Sequence, residues 1–115
     1  MANEFLRGRL DAKDPKKMEE FYGAVFTSWT FRREVVNGTE YLFIRTGNGP
    51  GGEMVKGSGS GWIPFVNVDD VGAALTAAQK NGGIIVENRT EFGGQGFYGV
   101  IKDPEGSVMG IWGRK

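Results

Sequence analysis

The sequence predicts an α+β fold of two successive β-α-β-β-β modules, at about residues 4–56 and 62–113, in a single domain over residues 1–115. Strand-like and helix-like segments follow the same order in both halves, which a glycine-serine segment at residues 57–61 separates. Matching positions also recur at a nearly constant spacing of 55 or 56 residues. The recurring pairs are Asp14 and Asp70, Tyr41 and Phe97, Trp29 and Ile84, and Met54 and Met109. Duplication explains this spacing; the alternative is a chance recurrence of two similar stretches.

The first module begins with a short predicted strand at residues 4–10. A helix should start at Asp14-Pro15, because an aspartate can accept bonds from free backbone N–H groups and proline suits the first turn. Apolar residues then recur at helical spacing, so one face of this helix should lie on a sheet. The next predicted strands are residues 29–36 and 39–46, joined by a tight turn at Asn37-Gly38, and a short one at residues 52–55.

The second module repeats this order after the glycine-serine segment. Residues 62–68 form its first predicted strand, and Asp69 is the expected cap of its helix. That helix presents an apolar face and should end at Asn81-Gly82-Gly83. Three more strands are predicted, at residues 84–88, 96–102 and 107–112, with a turn at residues 103–106 before the last of them.

The composition limits the kinds of chemistry that the chain can perform. Lysine plus arginine equals aspartate plus glutamate at 14 each, so we expect neither nucleic acid nor a membrane as a partner. The start of the chain lacks the pattern of a signal peptide, and we expect a cytoplasmic protein. Histidine and cysteine are both absent, which excludes disulfides, thiolate nucleophiles and the commonest ligands of transition metals. Any catalysis must use carboxylates, lysine, tyrosine, arginine or the backbone.

Several short motifs resemble those of a known superfamily when they are taken in order over nearly the whole chain. They are Asp14-Pro15, Phe21-Tyr22, Val25-Phe26, the stretch at residues 66–71, Gly82-Gly83, the turn at residues 102–106 and the ending at residues 110–112. Together they resemble the vicinal oxygen chelate superfamily, which contains glyoxalase I, fosfomycin- and bleomycin-resistance proteins and extradiol dioxygenases. The resemblance implies two modules whose sheets form a curled mixed sheet around a shared cavity, the glyoxalase/bleomycin-resistance fold, commonly in a homodimer.

The same resemblance implies that the metal site of the superfamily's enzymes is lost here. The positions of the usual ligands on the first strand of each module fall at Arg7 and Ile63, and the closing-strand glutamate of the second module falls at Gly110. Only Glu53, at the end of the first module, offers a carboxylate near the right place. A divalent ion needs several donors and is repelled by a guanidinium group. We therefore expect no metal and no cofactor.

A cavity without a metal could still bind a ligand. Side chains alternate along strands, so residues two positions from the lost ligands should share their face. The predicted ligand-binding residues are Arg7, Arg9, Phe43, Glu53, Ile63, Phe65, Asn67, Phe97, Gly110 and Trp112. The alternatives are that the arginines are solvated, that the aromatic residues only pack in a core, that Asn67 ties down a loop, and that Glu53 is an exposed edge residue.

Three functions fit these expectations. The preferred one is a metal-free protein that binds a small aromatic or anionic molecule, as the bleomycin-resistance branch binds a drug. That branch uses an acidic groove for a cationic drug, which does not suit this neutral chain with its arginines. The second is an atypical lyase, isomerase or dioxygenase that acts through Glu53 or Tyr41, or through a metal held by other residues than the usual ligands. The third is an interaction module of a larger enzyme system.

Overall fold

The computed structural model describes residues 2–115, which form two compact units. One unit holds residues 7–63, and the other holds residues 2–6 and 64–115. The elements are β1 (Phe5–Ala12), α1 (Pro15–Val25), β2 (Thr30–Val36), β3 (Thr39–Arg45), β4 (Gly52–Lys56), β5 (Gly61–Asn67), α2 (Val71–Lys80), β6 (Ile84–Phe92), β7 (Gly96–Lys102) and β8 (Val108–Gly113). This order confirms the two predicted β-α-β-β-β modules. The single domain stays a prediction.

The first unit, residues 7–63, carries its strands in the order β2-β3-β4-β1. β1 pairs with β4 in parallel, whereas β3 is antiparallel to both of its neighbours. The predicted hairpin turn is confirmed, because Asn37 and Gly38 take φ angles of 51° and 80° between β2 and β3. These two residues therefore fix the register of the hairpin.

Helix α1 begins where the sequence predicts, with the Asp14 carboxylate accepting a bond of 3.2 Å from the backbone N–H of Lys17. It packs on a core of alternate strand residues from β1, β3 and β4. That core comprises Leu10, Ala12, Leu42, Ile44 and Met54, with Met18, Tyr22, Trp29 and Phe31 against it. No side chain of α1 is fully buried, however, so the sheet covers the apolar face of this helix only in part.

The second unit has the strand order β5-β8-β7-β6, with β5 and β8 parallel and the other pairs antiparallel. Its helix buries Val71 and Leu75 against Ile111 of β8. Strand β6 runs to Phe92, four residues beyond the predicted end, through two irregularities in its register with β7. Within residues 2–115, neither helix combines the length and the apolar character needed to cross a membrane.

The strand register corrects the predicted repeat at two places. In the first module Tyr41 of β3 pairs with Val55 of β4. In the second module the equivalent pair is Tyr98 of β7 and Trp112 of β8, so Tyr41 corresponds to Tyr98 rather than to Phe97. By the same register Met54 corresponds to Ile111 rather than Met109. The first error matters, because a shift of one residue along a strand moves a side chain to the opposite face of the sheet.

The cap of α2 is Asp70 and not Asp69, as the Asp70 carboxylate accepts a bond of 3.0 Å from the backbone N–H of Ala73. Replacing Asp70 by alanine should lower the free energy of unfolding by about 1 kcal/mol, since a backbone donor of the first turn loses its acceptor. Asp69 is exposed and supplies the matched control. Urea denaturation of Asp70→Ala and Asp69→Ala checks this, and an equal loss in both variants would contradict it.

Candidate functional site

The first unit places four of the predicted site residues on one face of its sheet. Arg9 of β1 stands opposite Glu53 of β4, and Glu53 stands opposite Phe43 of β3. Their immediate neighbours in each strand, among them Leu10 and Met54, point to the helix-covered core. Because side chains alternate, Arg7, Arg9, Glu53 and Phe43 point the other way.

Glu53 is the centre of this group and is buried, with 3% of the residue exposed. The Nε–H of Arg7 donates to Oε1 of Glu53 at 2.8 Å. Arg9 is buried as well, at 8%. The alternative that Glu53 is an exposed edge residue is therefore wrong, and so is the alternative that Arg9 is solvated. Buried carboxylates are kept where a cation pairs with them, and the arginines of β1 supply that cation here.

The protonation of Glu53 reflects two opposing causes. Burial raises the pKa of Glu53 above its usual range, because the charged form loses solvation. The positive charges of Arg7 and Arg9, and the bond from Arg7, act in the opposite direction without overcoming it. Glu53 therefore takes up a proton more easily than an exposed glutamate does.

Aromatic and cationic groups continue the same face across β3 and β2. The Tyr41 and Phe43 rings are stacked with centroids 6.0 Å apart, and the guanidinium carbon of Arg32 lies 5.7 Å from the Phe43 centroid. Arg32 was not among the predicted site residues, and Tyr41 was considered only as a catalytic alternative. The period of two along β3 would have found Tyr41, which lies two residues from Phe43. The register of the hairpin at Asn37-Gly38 would have found Arg32, which pairs with Phe43 across the two strands.

In the second unit, Phe65 and Gly110 lie in direct contact as a cross-strand pair. A Cβ atom built on Gly110 would come within 2.5 Å of three atoms of the Phe65 ring, so the ring covers the glycine. Trp112 lies edge-on to Phe92 with centroids 5.8 Å apart. Ile63, which groups with the first unit, is buried.

Asn67 and Phe97 occupy different surroundings. The Asn67 amide donates to Oε1 of Glu4 at 3.2 Å and to the backbone oxygen of Ala2 at 3.4 Å. Asn67 therefore holds the segment at the start of the chain, which agrees with the alternative that it ties down a loop. Phe97 packs against the helix-side cluster of the second unit, and the guanidinium carbon of Arg89 lies 3.6 Å from its ring centroid. Phe97 is thus on the opposite face of β7 from the residues that pair with Gly110 and Trp112.

The residues at the superfamily's metal positions do not fit a divalent ion. The Glu53 carboxylate is held by the guanidinium of Arg7, and the Phe65 ring fills the space beside Gly110 where a ligand side chain would start. Across the described residues 2–115, no three carboxylates come close enough together to hold an ion. Such an ion needs several oxygen or nitrogen donors, and these positions offer one carboxylate with a cation on it.

Several solved structures match this chain over nearly its whole length. Methylmalonyl-CoA epimerase from Mycobacterium tuberculosis matches with a TM-score of 0.68 and 13% identity, over 96% of this chain and 87% of that one. A hypothetical protein from Bacillus halodurans C-125 matches with a TM-score of 0.69 and 11% identity, over 100% of this chain and 96% of that one. Methylmalonyl-CoA epimerase from Streptomyces coelicolor matches with a TM-score of 0.66 and 15% identity, over 98% of this chain and 95% of that one.

No family model matches the sequence, and no curated protein matches it. At these identities the structural matches establish the fold alone. The chain therefore has the glyoxalase/bleomycin-resistance fold, which it shares with these methylmalonyl-CoA epimerase structures.

Proposed function

We propose that the chain binds a small organic anion with an aromatic or conjugated body, and that it does so without a metal ion or a cofactor. Arg9 and Arg7 hold the anionic group, and Phe43 contacts the apolar body. The observation that carries this proposal is the placement of two guanidinium groups beside one buried carboxylate, Glu53.

The charges of this group favour an anion over a cation. Two guanidinium groups act on this site, since the positive charges of Arg7 and Arg9 both lower the pKa of Glu53 against the effect of burial. The same two positive charges would attract an anionic group placed beside them. A guanidinium group also offers a fork of donors that matches carboxylates and related anions.

The aromatic neighbours favour a flat, apolar body on the ligand. Phe43 presents one ring next to Glu53 in the sheet, and Tyr41 extends the aromatic surface by a second ring. Ring stacking supplies affinity through buried apolar area, while the arginines supply orientation. Aromatic carboxylates and sulfonates are therefore the probes of choice.

Glu53 opposes the anion, so its removal should strengthen binding. At neutral pH, Glu53→Gln should bind benzenesulfonate about tenfold more tightly than the wild type, which corresponds to the loss of about 1.4 kcal/mol of repulsion between two charges several ångströms apart. Wild-type affinity should rise as the pH falls through the raised pKa of Glu53, because the protonated carboxyl no longer repels the anion. Benzenesulfonate keeps its charge over this range, and isothermal titration calorimetry gives both affinities.

Two controls make this result specific. Benzenesulfonamide, the neutral analogue, should bind weakly and with no dependence on Glu53 or on pH. In Glu53→Gln the affinity for benzenesulfonate should no longer change with pH. If no aromatic anion binds at millimolar concentration, or if Glu53→Gln weakens binding, the proposal is wrong.

A second candidate is an enzyme that moves a proton with Glu53. The raised pKa of this buried carboxyl favours it, because a general base works best when its pKa approaches the working pH. Four matched structures of the same fold are methylmalonyl-CoA epimerases, which also favours this candidate. An enzyme of this kind would exchange a ligand's carbon-bound hydrogen for deuterium from the solvent. That exchange would disappear in Glu53→Gln while the ligand still bound.

A further inference from the structure

We propose that the anion site of the first unit selects an elongated ligand with a second anionic group, which Arg32 receives at the exposed end of the same sheet face. This inference rests on the proposed function and adds to it the class of ligand. One anionic group lies beside Arg9 and Arg7, and the aromatic body lies along Phe43. The second anionic group lies beside Arg32. Aromatic disulfonates and dicarboxylates with their charged groups at opposite ends have this shape.

The strand register places these groups in one line across the sheet, which we call the Arg9–Arg32 row. Arg32 of β2 pairs with Phe43 of β3, and Phe43 pairs in turn with Glu53 of β4. Glu53 pairs with Arg9 of β1. Neighbouring strands lie about 4.8 Å apart, so the row spans roughly 14 Å between the Cα atoms of its two arginines. A ligand that contacts both arginines is therefore longer than a single benzene ring.

The Arg9–Arg32 row is buried at one end and exposed at the other. Glu53 and Arg9 are 3% and 8% exposed, and Phe43 is half-buried. The side chain of Arg32 is 74% exposed, on the outermost strand of the sheet. A ligand would therefore enter past Arg32 and place its leading anionic group beside Arg9. Its other end would remain at the exposed end of the row, beside Arg32.

The guanidinium group of Arg32 lies close to the row and is held only weakly. Its carbon lies 5.7 Å from the Phe43 ring centroid, and its Nη2 lies 2.7 Å from Oε2 of Glu34. Both side chains of this ion pair are largely exposed, and ion pairs of that kind contribute little to stability. Arg32 can therefore exchange Glu34 for the anionic group of a ligand at little energetic cost.

Arg33, the next residue of β2, provides a matched control within the chain. Its Nη2 donates to Oε1 of Glu19 on α1 at 2.7 Å, so Arg33 points to the helix side of the sheet. Arg32 and Arg33 carry the same charge, are both exposed and both pair with a glutamate, but they lie on opposite faces. An effect that Arg32 has and Arg33 lacks is therefore due to position and not to overall charge.

The test compares two naphthalene ligands that differ by one sulfonate, using titration calorimetry at neutral pH. The wild type should bind 2,6-naphthalenedisulfonate about tenfold more tightly than 2-naphthalenesulfonate, about fivefold from one exposed ion pair and about twofold from the two equivalent ends of the disulfonate. Arg32→Met should reduce this ratio to about two, because only the effect of the equivalent ends remains. Arg33→Met should keep the ratio of the wild type.

Glu34→Gln provides a second measurement with the opposite sign. Glu34 competes with the ligand for Arg32 and repels the outer sulfonate, so its loss should raise the ratio by about threefold, within the range for an exposed charge. Because the side chains of Arg32 and Glu34 are both exposed, these variants should keep the circular dichroism spectrum of the wild type.

A wild-type ratio no greater than that of Arg32→Met would overturn this inference and leave the proposed function in place. An equal fall of the ratio in Arg33→Met would do the same, because the second sulfonate would then respond only to overall charge. A lower ratio in Glu34→Gln would also contradict the role of Arg32. If neither naphthalene ligand binds, the proposed function is wrong and this inference is wrong with it.

Discussion

Replacing Gly110 by alanine is expected to lower the free energy of unfolding by about 3 kcal/mol, the upper range for adding atoms to a packed core. The new methyl group would lie within 2.5 Å of three atoms of the Phe65 ring. That ring is fully buried at 1% exposure, so it can move only by displacing other core atoms. Guanidinium chloride denaturation of Gly110→Ala measures the loss.

Two further variants make this prediction specific to the Phe65 ring. Gly49→Ala should be nearly neutral, because Gly49 is exposed and a Cβ there meets no atom within 4 Å. Combining Gly110→Ala with Phe65→Leu should cost less than the two single changes together, since the smaller side chain leaves room for the methyl group. A purely additive double variant would show that the clash is not the cause.

Replacing Arg9 by methionine is expected to weaken the binding of benzenesulfonate by roughly 10- to 150-fold, the range for losing one hydrogen bond to a charged group. Methionine keeps an unbranched apolar stem and removes the guanidinium group, with its donors and its charge. Titration calorimetry at neutral pH measures the change. Arg9→Lys should give an intermediate loss, because it retains the charge without the fork of donors.

The control for Arg9→Met is Arg114→Met, which removes an arginine from an exposed position near the end of the chain. Its affinity for benzenesulfonate should equal that of the wild type. Loss of Arg9 also removes a positive charge near Glu53, so the pKa of Glu53 should rise further in this variant. Equal binding by Arg9→Met and the wild type would place the anion elsewhere on the protein.

Local chemistry in the sequence was enough to determine the elements and their order. Asp14 and Pro15 start α1, Asn37 and Gly38 fix a hairpin, and glycine follows α2 at position 82, each because the residue type suits a particular backbone geometry. The absence of histidine and cysteine likewise limits the chemistry before any fold is known. These conclusions need only neighbours along the chain.

Only the tertiary structure decided which side chains are buried and which share a face. Glu53 is buried because Arg7 and Arg9 of a distant strand lie beside it, and no local pattern around Glu53 contains that information. Phe97 lies on the helix side because Tyr98, the next residue, is the one that corresponds to Tyr41, and successive side chains of a strand point to opposite faces of the sheet. Contacts between residues far apart in sequence depend on register, and register is set by the packing of the whole sheet.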